Sequence, residues 1–561
     1  MERRCRETGV DFTVTEEDLG FYEKIAPTFA GQRFAIPPPT LCPEARMRRR
    51  LCFRNERTLY KRPSSFSDNE IISNYAPEEP WPVYEVAAWY SDAWDPTEYG
   101  RDYDRTKPFF EQLASLMKVV PVFALSQRFG NDSSPYTNLV SGNRRCHFIF
   151  AATENEDCFY STYLQRCRDV SDCFFVFDSE LCYQCIDCYG CYRLQQSQEC
   201  ERCRDSEYLL SCVASENCFG CISQFRQKYC LFNEQLSPKT YASAVEALKA
   251  QPDWRTVVEQ RMLELARVTP RKYYSGTQNE SFTGDHLASC RNTRDSYDCT
   301  FLEDCRFCTW LHQSKDCYDC YAWGLSGELG LENHLVGNNF YNVLFSDECS
   351  NNVSYLYYCR GCYSSTNLFG CVGIKNGRYC VLNKQYSKDE YERLVAQIIS
   401  DMQSRGEWGE FFPQWMAPYS YNESVAAEYF PMTESEVRRR GWRWRSAPLP
   451  GIYSEQVTKW EEVTLDPHTL SSELSRRTFA CSRTGRNFRY TAQELALYQK
   501  LGVSAPTVCF EERYRQRRHR RNPRTLFARQ CAECATALES TYGPEREERI
   551  LCETCYQSSC A

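Results

Sequence analysis

The 561-residue sequence contains only six histidines, and they are scattered along the chain. None of them belongs to a His-Glu-x-x-His motif or to a Cys–His arrangement of recognisable spacing. A glycine-rich phosphate loop is also missing from the sequence. These absences predict that the protein is not an enzyme, and they identify no small-molecule substrate.

Long apolar segments are equally scarce. No apolar leader follows Met1, and no apolar run approaches the roughly 18–20 residues of a membrane helix. We therefore expect a cytoplasmic protein with no membrane partner. In a reducing compartment, the 35 cysteines of the chain are expected to be buried thiols or metal ligands rather than disulfides.

The cysteines follow a repeat in the first half of the chain. Cysteine recurs every fifteen residues at Cys158, Cys173, Cys188, Cys203 and Cys218. A short fixed period is typical of a solenoid, whose coils bury their inner side chains only against neighbouring coils. The repeat predicts a β-solenoid with about 15 residues per coil and a cysteine-lined interior.

The same cysteine pattern returns later in the chain. A constant offset of 117 carries Cys173 onto Cys290, and a larger offset of 150 carries Cys221 onto Cys371. The difference predicts that the second solenoid is longer than the first. Ser237-Pro238 predicts the start of a helix reaching to about residue 266, and a capping box at Ser387 predicts the matching helix after the second solenoid.

Three interpretations of the solenoid thiols remain open. Serine replaces cysteine at Ser197 and Ser215, which favours small structural side chains that fill a narrow interior. Cys-x2-Cys pairs such as Cys182/Cys185 on adjacent coils could instead bind zinc or an iron–sulfur cluster. Stacked thiols could also oxidise to disulfides and act in redox chemistry or metal storage.

The two ends of the chain carry the same module. Cys5-x2-Thr-Gly and Phe12 reappear as Cys481-x2-Thr-Gly and Phe488, and a constant offset of 467 relates the segments that follow. The first copy has about nine extra residues between positions 26 and 38. Cys5, Cys42, Cys481 and Cys509 each lack the second cysteine of a Cys-x2-Cys pair.

The second module contains the clearest metal motif of the chain. Seventeen residues separate Cys531-x2-Cys534 from Cys552-x2-Cys555, and two such pairs supply four thiolates for tetrahedral zinc. The sequence therefore predicts zinc as the cofactor of this module. The first copy has Ser64, Ser67, Glu85 and Ala88 at the four equivalent positions.

These segments resemble the zinc-ribbon or treble-clef modules of small bacterial proteins. Further blocks are Leu368-Phe-Gly-Cys371, Arg378-Tyr-Cys-Val-Leu-Asn-Lys-Gln-Tyr386 and Tyr421-Asn-Glu-Ser424. With them, most of the chain resembles uncharacterised cysteine-rich bacterial proteins with such modules at both ends and an internally duplicated cysteine-repeat core. The resemblance implies this architecture and zinc binding, and it implies no activity.

Each terminal module also contains an arginine-rich run with aromatic residues inside it. Arginine forks bind phosphate oxygens, and aromatic rings stack on bases, so these runs are candidate nucleic-acid-binding segments. The alternative is a solvated basic helix face. The candidate residues are Arg48, Arg49, Arg50, Arg513, Arg515, Arg517, Arg518, Arg520 and Arg521.

Together the patterns predict a mostly β chain with flanking helices, in which two cysteine-lined β-solenoid segments lie between terminal treble-clef or zinc-ribbon-like modules. The predicted order is a degenerate zinc-ribbon-like module (1–90), an aromatic connector (91–145), the first solenoid plus helix (146–268), the second solenoid plus helix (280–405), an aromatic arm (406–480) and a treble-clef or zinc-ribbon module (481–561). The predicted function is that of a zinc-binding scaffold for a protein partner. Nucleic-acid binding is the alternative, and thiol redox or metal storage comes third.

Overall fold

The computed structural model describes residues 1–128, 130–446 and 456–560. Residues 447–455 of the aromatic arm and the last residue of the second module therefore lie outside the described part. The described residues form 35 strands and 12 α-helices, which confirms the prediction of a strand-rich chain with flanking helices. None of these helices is both long and apolar enough to cross a membrane.

The chain divides into two compact units, each built from separate stretches of sequence. One unit comprises Met1–Ala124, Tyr274–Ala447 and Arg524–Leu526, and the other comprises Leu125–Tyr273, Pro448–Pro523 and Phe527–Ala561. The first terminal module thus shares a unit with the second cysteine repeat. The second terminal module shares a unit with the first cysteine repeat.

A ladder of short parallel strands, here called the first ladder, spans the first cysteine repeat. Each strand pairs with a strand that follows it in the chain, so that Phe150 lies opposite Thr162, which lies opposite Phe174. Parallel bridges between the strands repeat the same spacing, as between Arg144 and Glu156. The strands are Asn138–Ser141, Phe150–Thr153, Thr162–Gln165, Phe174–Phe177, Ile186–Tyr189, Tyr192–Gln195, Gln198–Glu201 and Arg204–Glu207.

The spacing of these partners corrects the predicted coil of about fifteen residues, because each partner lies twelve positions after the previous one. The backbone itself has a period of three: Asp157, Tyr160, Tyr163 and Arg166 all have φ between 48° and 58°. Twelve and fifteen are both multiples of three. Cysteines spaced by fifteen residues therefore move by one repeat of twelve residues and one further triplet at each step. The sequence alone does not distinguish this arrangement from stacking of the cysteines in one column.

The residue after each left-handed position points into the ladder. Cys158, Ser161, Leu164 and Cys167 occupy four successive inward positions, and each is at most 2% exposed. Each repeat of twelve residues supplies four such positions. The interior is therefore a narrow space that small side chains fill, and left-handed backbone at non-glycine residues is the local cost of that geometry.

Thiols and hydroxyls make the same hydrogen bonds inside the first ladder. Cys185 Sγ donates to the carbonyl of Leu194, nine residues further on, at 3.3 Å. Ser161 Oγ donates to a carbonyl two residues earlier and accepts the N–H of Cys173 at 2.9 Å. Cys173 Sγ in turn accepts the N–H of Cys185 at 3.3 Å. Cysteine and serine are thus interchangeable here as small side chains that also satisfy backbone groups.

A second parallel ladder, here called the second ladder, spans the second cysteine repeat from Gly276 to Val381. The parallel bridges of the first ladder run from Gln127 to Leu231, a stretch of about the same length, so the prediction of a longer second repeat is wrong. Its partners lie eleven or twelve positions apart before a middle section in which the offset is thirteen, as between Gly327 and Phe340, and twelve positions apart after it. The extra residue follows pairs of consecutive left-handed residues such as Asn338 and Asn339. The strands are Gly276–Thr277, Glu280–Ala288, Arg291–Arg306, Thr309–Tyr318, Tyr321–Leu325, Gly327–Leu331, Phe340–Leu344, Val353–Tyr357, Thr366–Phe369 and Arg378–Val381.

Each ladder ends in an antiparallel hairpin followed by helix. Asn233 and Asn383 occupy equivalent left-handed positions in the hairpins, and each side-chain oxygen accepts a backbone N–H of the last coil. Ser237 and Ser387 cap the helices as predicted. The elements are Cys230–Leu231, Glu234–Gln235, Pro238–Lys249 and Trp254–Val268 after the first ladder, and Lys384–Gln385 and Lys388–Arg405 after the second.

The single helix predicted after the first ladder is two helices. The first ends at Lys249 and the second begins at Trp254. Pro252 lies between them, where its missing N–H and fixed φ interrupt the helical hydrogen bonds. The ladder-to-helix order is still the predicted one.

The terminal modules have equivalent elements at the predicted offsets. The nine extra residues of the first copy contain a hairpin, Thr28–Phe29 with Gln32–Arg33. The other elements of that copy are Glu2–Arg4, Asp11–Thr13, Glu16–Ile25, Pro43–Leu51, Tyr60–Pro63, Glu70–Ser73, Val83–Tyr84 and Val86–Tyr90. Those of the second copy are Phe479–Ala480, Asn487–Phe488, Ala492–Leu501, Phe510–His519, Phe527–Gln530, Ala537–Ser540, Ile550–Leu551 and Glu553–Cys560.

The connector and the described part of the aromatic arm contain little regular structure. In the connector, the strand Val122–Phe123 pairs in parallel with Val83–Tyr84 of the first module. Arg271–Lys272 pairs in parallel with Ile550–Leu551 of the second module. The remaining helices are Phe109–Met117 in the connector and Ala426–Tyr429 and Glu434–Arg439 in the arm.

A buried aspartate attaches each terminal module to the ladder of its own unit. Arg46 and Arg50, one helical turn apart, contact the two oxygens of Asp319 in the second ladder at 2.9 and 3.1 Å. The equivalent Arg513 and Arg517 both contact Asp172 Oδ1 in the first ladder at 2.8 Å. All six side chains are buried. The same arginine pair thus docks the same helix in both units. Since a buried charge is stable only when it is paired, the aspartates are essential to this docking.

We expect Asp172→Asn to lower the free energy of unfolding by about 3–5 kcal/mol, because it leaves two buried guanidinium groups without their carboxylate. Urea denaturation measures this loss. Asp178→Asn is the matched control: Asp178 pairs with Arg166 on the surface of the same ladder, and about half of each side chain is exposed. We expect this control to change stability by less than about 1 kcal/mol. Equal losses in the two variants would contradict the docking role of Asp172.

Candidate metal centre

A hairpin in the second terminal module carries the first Cys-x2-Cys pair. Phe527–Gln530 and Ala537–Ser540 are its antiparallel strands, and Cys531 and Cys534 lie in the turn between them. The turn closes through the N–H of Cys531, which donates to the carbonyl of Thr536 at 2.9 Å. Residue 535 has φ of 58°, so the chain reverses directly after the second cysteine.

The second pair follows the short strand Ile550–Leu551. Cys552 precedes the last helix, and Cys555 lies in the first turn of that helix, Glu553–Cys560. The carbonyl of Ile550 accepts the N–H of Ala532 at 2.9 Å, which joins this strand to the first pair. The two pairs are therefore held together by backbone contacts as well as by their thiols.

The four thiols converge on one point. Their sulfur atoms all lie within 4.8 Å of one another, and Cys534 Sγ lies 3.7 Å from Cys552 Sγ. Cys531 is buried, Cys552 and Cys555 are half-buried and Cys534 is exposed. This group can hold a metal ion. In the described ranges, no other set of three or more His, Cys, Asp or Glu side chains has ligand atoms this close together.

Backbone N–H groups favour the thiolate form of Cys531. Burial alone raises the pKa of a thiol, but N–H groups of Cys534 and Cys552 face Cys531 and lower its pKa to about 6. The N–H of Cys552 lies 3.3 Å from Cys531 Sγ. A hydrogen bond with the Thr536 hydroxyl, at 3.2 Å, lowers the pKa of Cys534. Thiolates are the form that binds metal.

The first terminal module keeps the hairpin without the ligands. Its strands Tyr60–Pro63 and Glu70–Ser73 pair in the equivalent register. Ser64 donates a hydrogen bond to a carboxylate oxygen of Glu85, whose position corresponds to that of Cys552. Although burial alone raises it, hydrogen bonds from Ser64 and Ser67 lower the pKa of Glu85. A hydroxyl–carboxylate contact thus joins the two turns where the second module has four thiols.

Each module has one further pair of cysteines closer to its start. The pair is Cys5 and Cys42 in the first module and Cys481 and Cys509 in the second. Thr8 Oγ1 lies 3.8 Å from Cys42 Sγ, and Thr484 Oγ1 lies 3.9 Å from Cys509 Sγ. Burial raises the pKa of Cys5, but hydrogen bonds from Thr8 and from backbone N–H groups lower it to about 7. Each of these places offers two thiols and a threonine.

Most of the arginines predicted to bind nucleic acid face carboxylates. In the first module, Arg48 pairs with Glu7, Arg49 contacts Glu332 and Glu410, and Arg50 contacts Asp319 and Glu332. In the second module, Arg513 and Arg517 share Asp172, Arg515 pairs with Glu512 and Arg521 pairs with Asp187. Arg518 is half-buried and Arg520 is exposed. The nucleic-acid hypothesis stays a prediction, with most of its side chains already paired.

The ladder thiols do not share one direction of pKa shift. Burial raises the pKa of Cys167 to about 12. Burial also acts on Cys200 and Cys305, but hydrogen bonds from neighbouring thiols lower the pKa of Cys200 to about 5 and that of Cys305 to about 6. Every cysteine whose side chain is described is a free thiol. Among the three interpretations left open above, burial and the hydrogen bonds from thiols to carbonyls, such as that of Cys185, favour small structural side chains.

The buried aspartates that dock the terminal modules were not predicted from the sequence. The sequence feature that could have indicated them is the arginine pair at i and i+4, present at Arg46/Arg50 and again at Arg513/Arg517.

In comparisons with known proteins, no family model matches the chain and no curated protein shows significant similarity to it. The function is therefore inferred from the residues themselves.

We expect Cys534→Ser to reduce bound metal from one ion per chain to near zero, because three thiolates and a hydroxyl do not complete the site. Cys509→Ser, in the same module but outside the four-thiol group, should leave metal content unchanged. Elemental analysis of both purified variants tests this. Loss of metal from the Cys509 variant, or its retention by the Cys534 variant, would contradict the assignment of the site.

Proposed function

We propose that the protein is a non-enzymatic scaffold that binds one zinc ion and presents its ladders to a protein partner. The convergence of Cys531, Cys534, Cys552 and Cys555 carries this proposal. Tetrahedral zinc with Zn–S bonds of about 2.3 Å requires sulfur–sulfur separations of about 3.8 Å. The 3.7 Å between Cys534 Sγ and Cys552 Sγ is compatible with such a site.

In this proposal the zinc ion is structural. Four thiolates leave no open coordination position for a water or a substrate. The ion would join the hairpin 527–540 to the strand Ile550–Leu551, which itself pairs with Arg271–Lys272. Zinc would therefore hold the end of the second module in place within its unit. In the first module, the hydrogen bond from Ser64 to Glu85 would join the two equivalent turns without a metal ion.

We also infer that the two ladders are β-solenoids and that the terminal modules are of the zinc-ribbon or treble-clef type. The repeated partner offsets of twelve and thirteen support the coils. The paired hairpin turns with Cys-x2-Cys spacing support the ribbon. The proposed relationship to cysteine-rich bacterial proteins with such modules at both ends rests on the same features.

Exposed aromatic side chains on the second ladder support a protein partner. Phe301 is 59% exposed, and Tyr341 and Tyr355 are about two-fifths exposed with ring centroids 5.6 Å apart. Tyr341 and Tyr355 lie on neighbouring turns of the ladder, and Phe301 lies three turns earlier. Aromatic groups are enriched in protein interfaces, where they contribute much of the binding energy. A protein surface is therefore the partner that this face fits best.

The arginine-rich runs support the nucleic-acid alternative less well. To bind phosphate, a guanidinium group must be accessible and must be able to separate from the carboxylate that it now contacts. Arg49 and Arg50 are buried between two carboxylates each. Releasing them would expose buried charge and undock the helix Pro43–Leu51, so the basic runs are better explained by docking.

We expect Phe301→Asp combined with Tyr355→Asp to abolish retention of the partner. The measurement is quantitative affinity capture from the source cells with the full chain as bait, at matched bait levels. Phe225→Asp is the control, since Phe225 is an equally exposed aromatic of the first ladder. A set of proteins lost only from the double variant is the expected result.

Two outcomes would contradict the partner proposal. In the first, the captured proteins are the same for wild type, the double variant and the control. In the second, the chain retains RNA or DNA with an affinity that falls steeply with salt concentration and that Arg515→Glu weakens. That behaviour would favour the nucleic-acid alternative.

A further inference from the structure

A cavity of about 590 Å³ lies against the first ladder, outside the four-thiol group. One wall is the helix Phe510–His519 and the residue after it. The helix Trp254–Val268 and residues of the ladder, among them Gln198 and Leu209, also line the cavity. All of the lining residues belong to one compact unit. This volume is within the range of small-molecule sites, roughly 300–1,000 Å³.

The cavity contains an excess of guanidinium groups. Arg513, Arg517, Arg520 and Arg546 line it, against only two carboxylates, Glu259 and Glu548. Arg546 is paired with Glu548. Positive charge is therefore concentrated at the wall formed by the other three arginines.

Two of these arginines are almost completely buried and incompletely bonded. Arg513 and Arg517 are 4% and 3% exposed, and they share the single carboxylate of Asp172. In the described part of the chain, Arg513 Nη2 and Arg517 Nε have no hydrogen-bond partner. Burial, opposed by Asp172 and reinforced by the neighbouring Arg513, lowers the pKa of Arg517. One carboxylate between two buried cations leaves positive charge that a bound anion can neutralise.

Arg520 provides an accessible cation at the same wall. Its side chain is exposed, and among the described residues no carboxylate lies within ion-pair distance of it. The backbone position is fixed, because the carbonyl of Arg520 accepts a hydrogen bond from Gln198 Nε2 at 3.3 Å. An exposed guanidinium can bind a phosphate group through two N–H donors, and the two buried arginines beside it add positive potential.

The remainder of the cavity is suited to an uncharged organic group. Tyr208, Met262 and Leu263 supply aromatic and apolar surface, and the amides of Gln184 and Gln196 offer both donors and acceptors. A simple inorganic anion would leave this surface without contacts. The lining thus combines a cationic wall with a mixed apolar and amide wall, which is the usual composition of a small-molecule site.

We propose that this cavity binds a phosphorylated small molecule, with the phosphate on the accessible guanidinium of Arg520, in the positive potential of the buried Arg513 and Arg517, and the uncharged body against Tyr208 and Met262. The scaffold would then bind a small molecule in addition to zinc and a protein partner. It is separate from the zinc proposal, since its test holds zinc content constant and does not use the cysteines.

The test uses zinc-loaded full-length protein at constant ionic strength, with inorganic phosphate, adenosine monophosphate and adenosine as probes. Calorimetry and phosphorus line widths measure binding. We expect saturable binding of both phosphate probes, tighter binding of the nucleotide, and no binding of adenosine alone. Arg520→Ala should weaken nucleotide binding at least about tenfold, the effect of removing one charged hydrogen-bonding group.

The matched control is Arg515→Ala on the same helix, because Arg515 pairs with Glu512 and does not line the cavity. Its binding should equal that of wild type. Met262→Trp is a second variant that fills the cavity without changing its charge, and it should also abolish nucleotide binding. The proposal is overturned if no phosphate probe binds saturably. It is equally overturned if Arg515→Ala weakens binding as much as Arg520→Ala, or if Met262→Trp has no effect.

Discussion

A three-residue backbone period is the constraint on which the two ladders depend. One residue in three is left-handed, and the next side chain points inward, so a repeat of twelve residues has only four inward positions. The resulting interior is narrow, and thiol and hydroxyl side chains there also bond the carbonyl and N–H groups that surround them. Cysteine suits such an interior, since its thiol is small, weakly polar and able to donate to a carbonyl. The high cysteine content follows from this geometry without any need for metal or disulfides in the ladders.

The second organising interaction is the buried aspartate that each ladder offers to a terminal module. Asp319 and Asp172 each receive two arginines spaced by one helical turn, although they lie in different ladders. The contact between the arginine pair of the module and the aspartate of the ladder is therefore present in both copies. The four-thiol group has not been preserved in the same way. Glu85 and Ser64 join the turns of the first module where Cys552 and Cys531 stand in the second, so docking does not depend on the four thiols.

Local motifs made the four-cysteine group, the duplication of the modules and the helix caps predictable. Cys-x2-Cys spacing fixes two sulfurs in one turn, and Ser387 lies three residues before a glutamate, so each signal is contained in a few residues. The predicted coil length was wrong because a period of three allows both twelve and fifteen as repeats. The role of Arg46 was also missed, since its partner Asp319 is 273 residues away in sequence. No local pattern distinguishes a solvated basic run from one that is buried against distant carboxylates.

We infer one division among the thiols: a single four-thiol group binds metal, while the ladder thiols are reduced structural side chains. Elemental analysis combined with thiol titration, on protein purified without chelator or oxidant, tests this division most directly. We predict one zinc ion per chain, and about 31 reactive thiols after denaturation with the metal retained, since four of the 35 cysteines are ligands. Several metal ions per chain, or a marked deficit of thiols, would contradict the inference and make the ladders themselves the chemically active part of the protein.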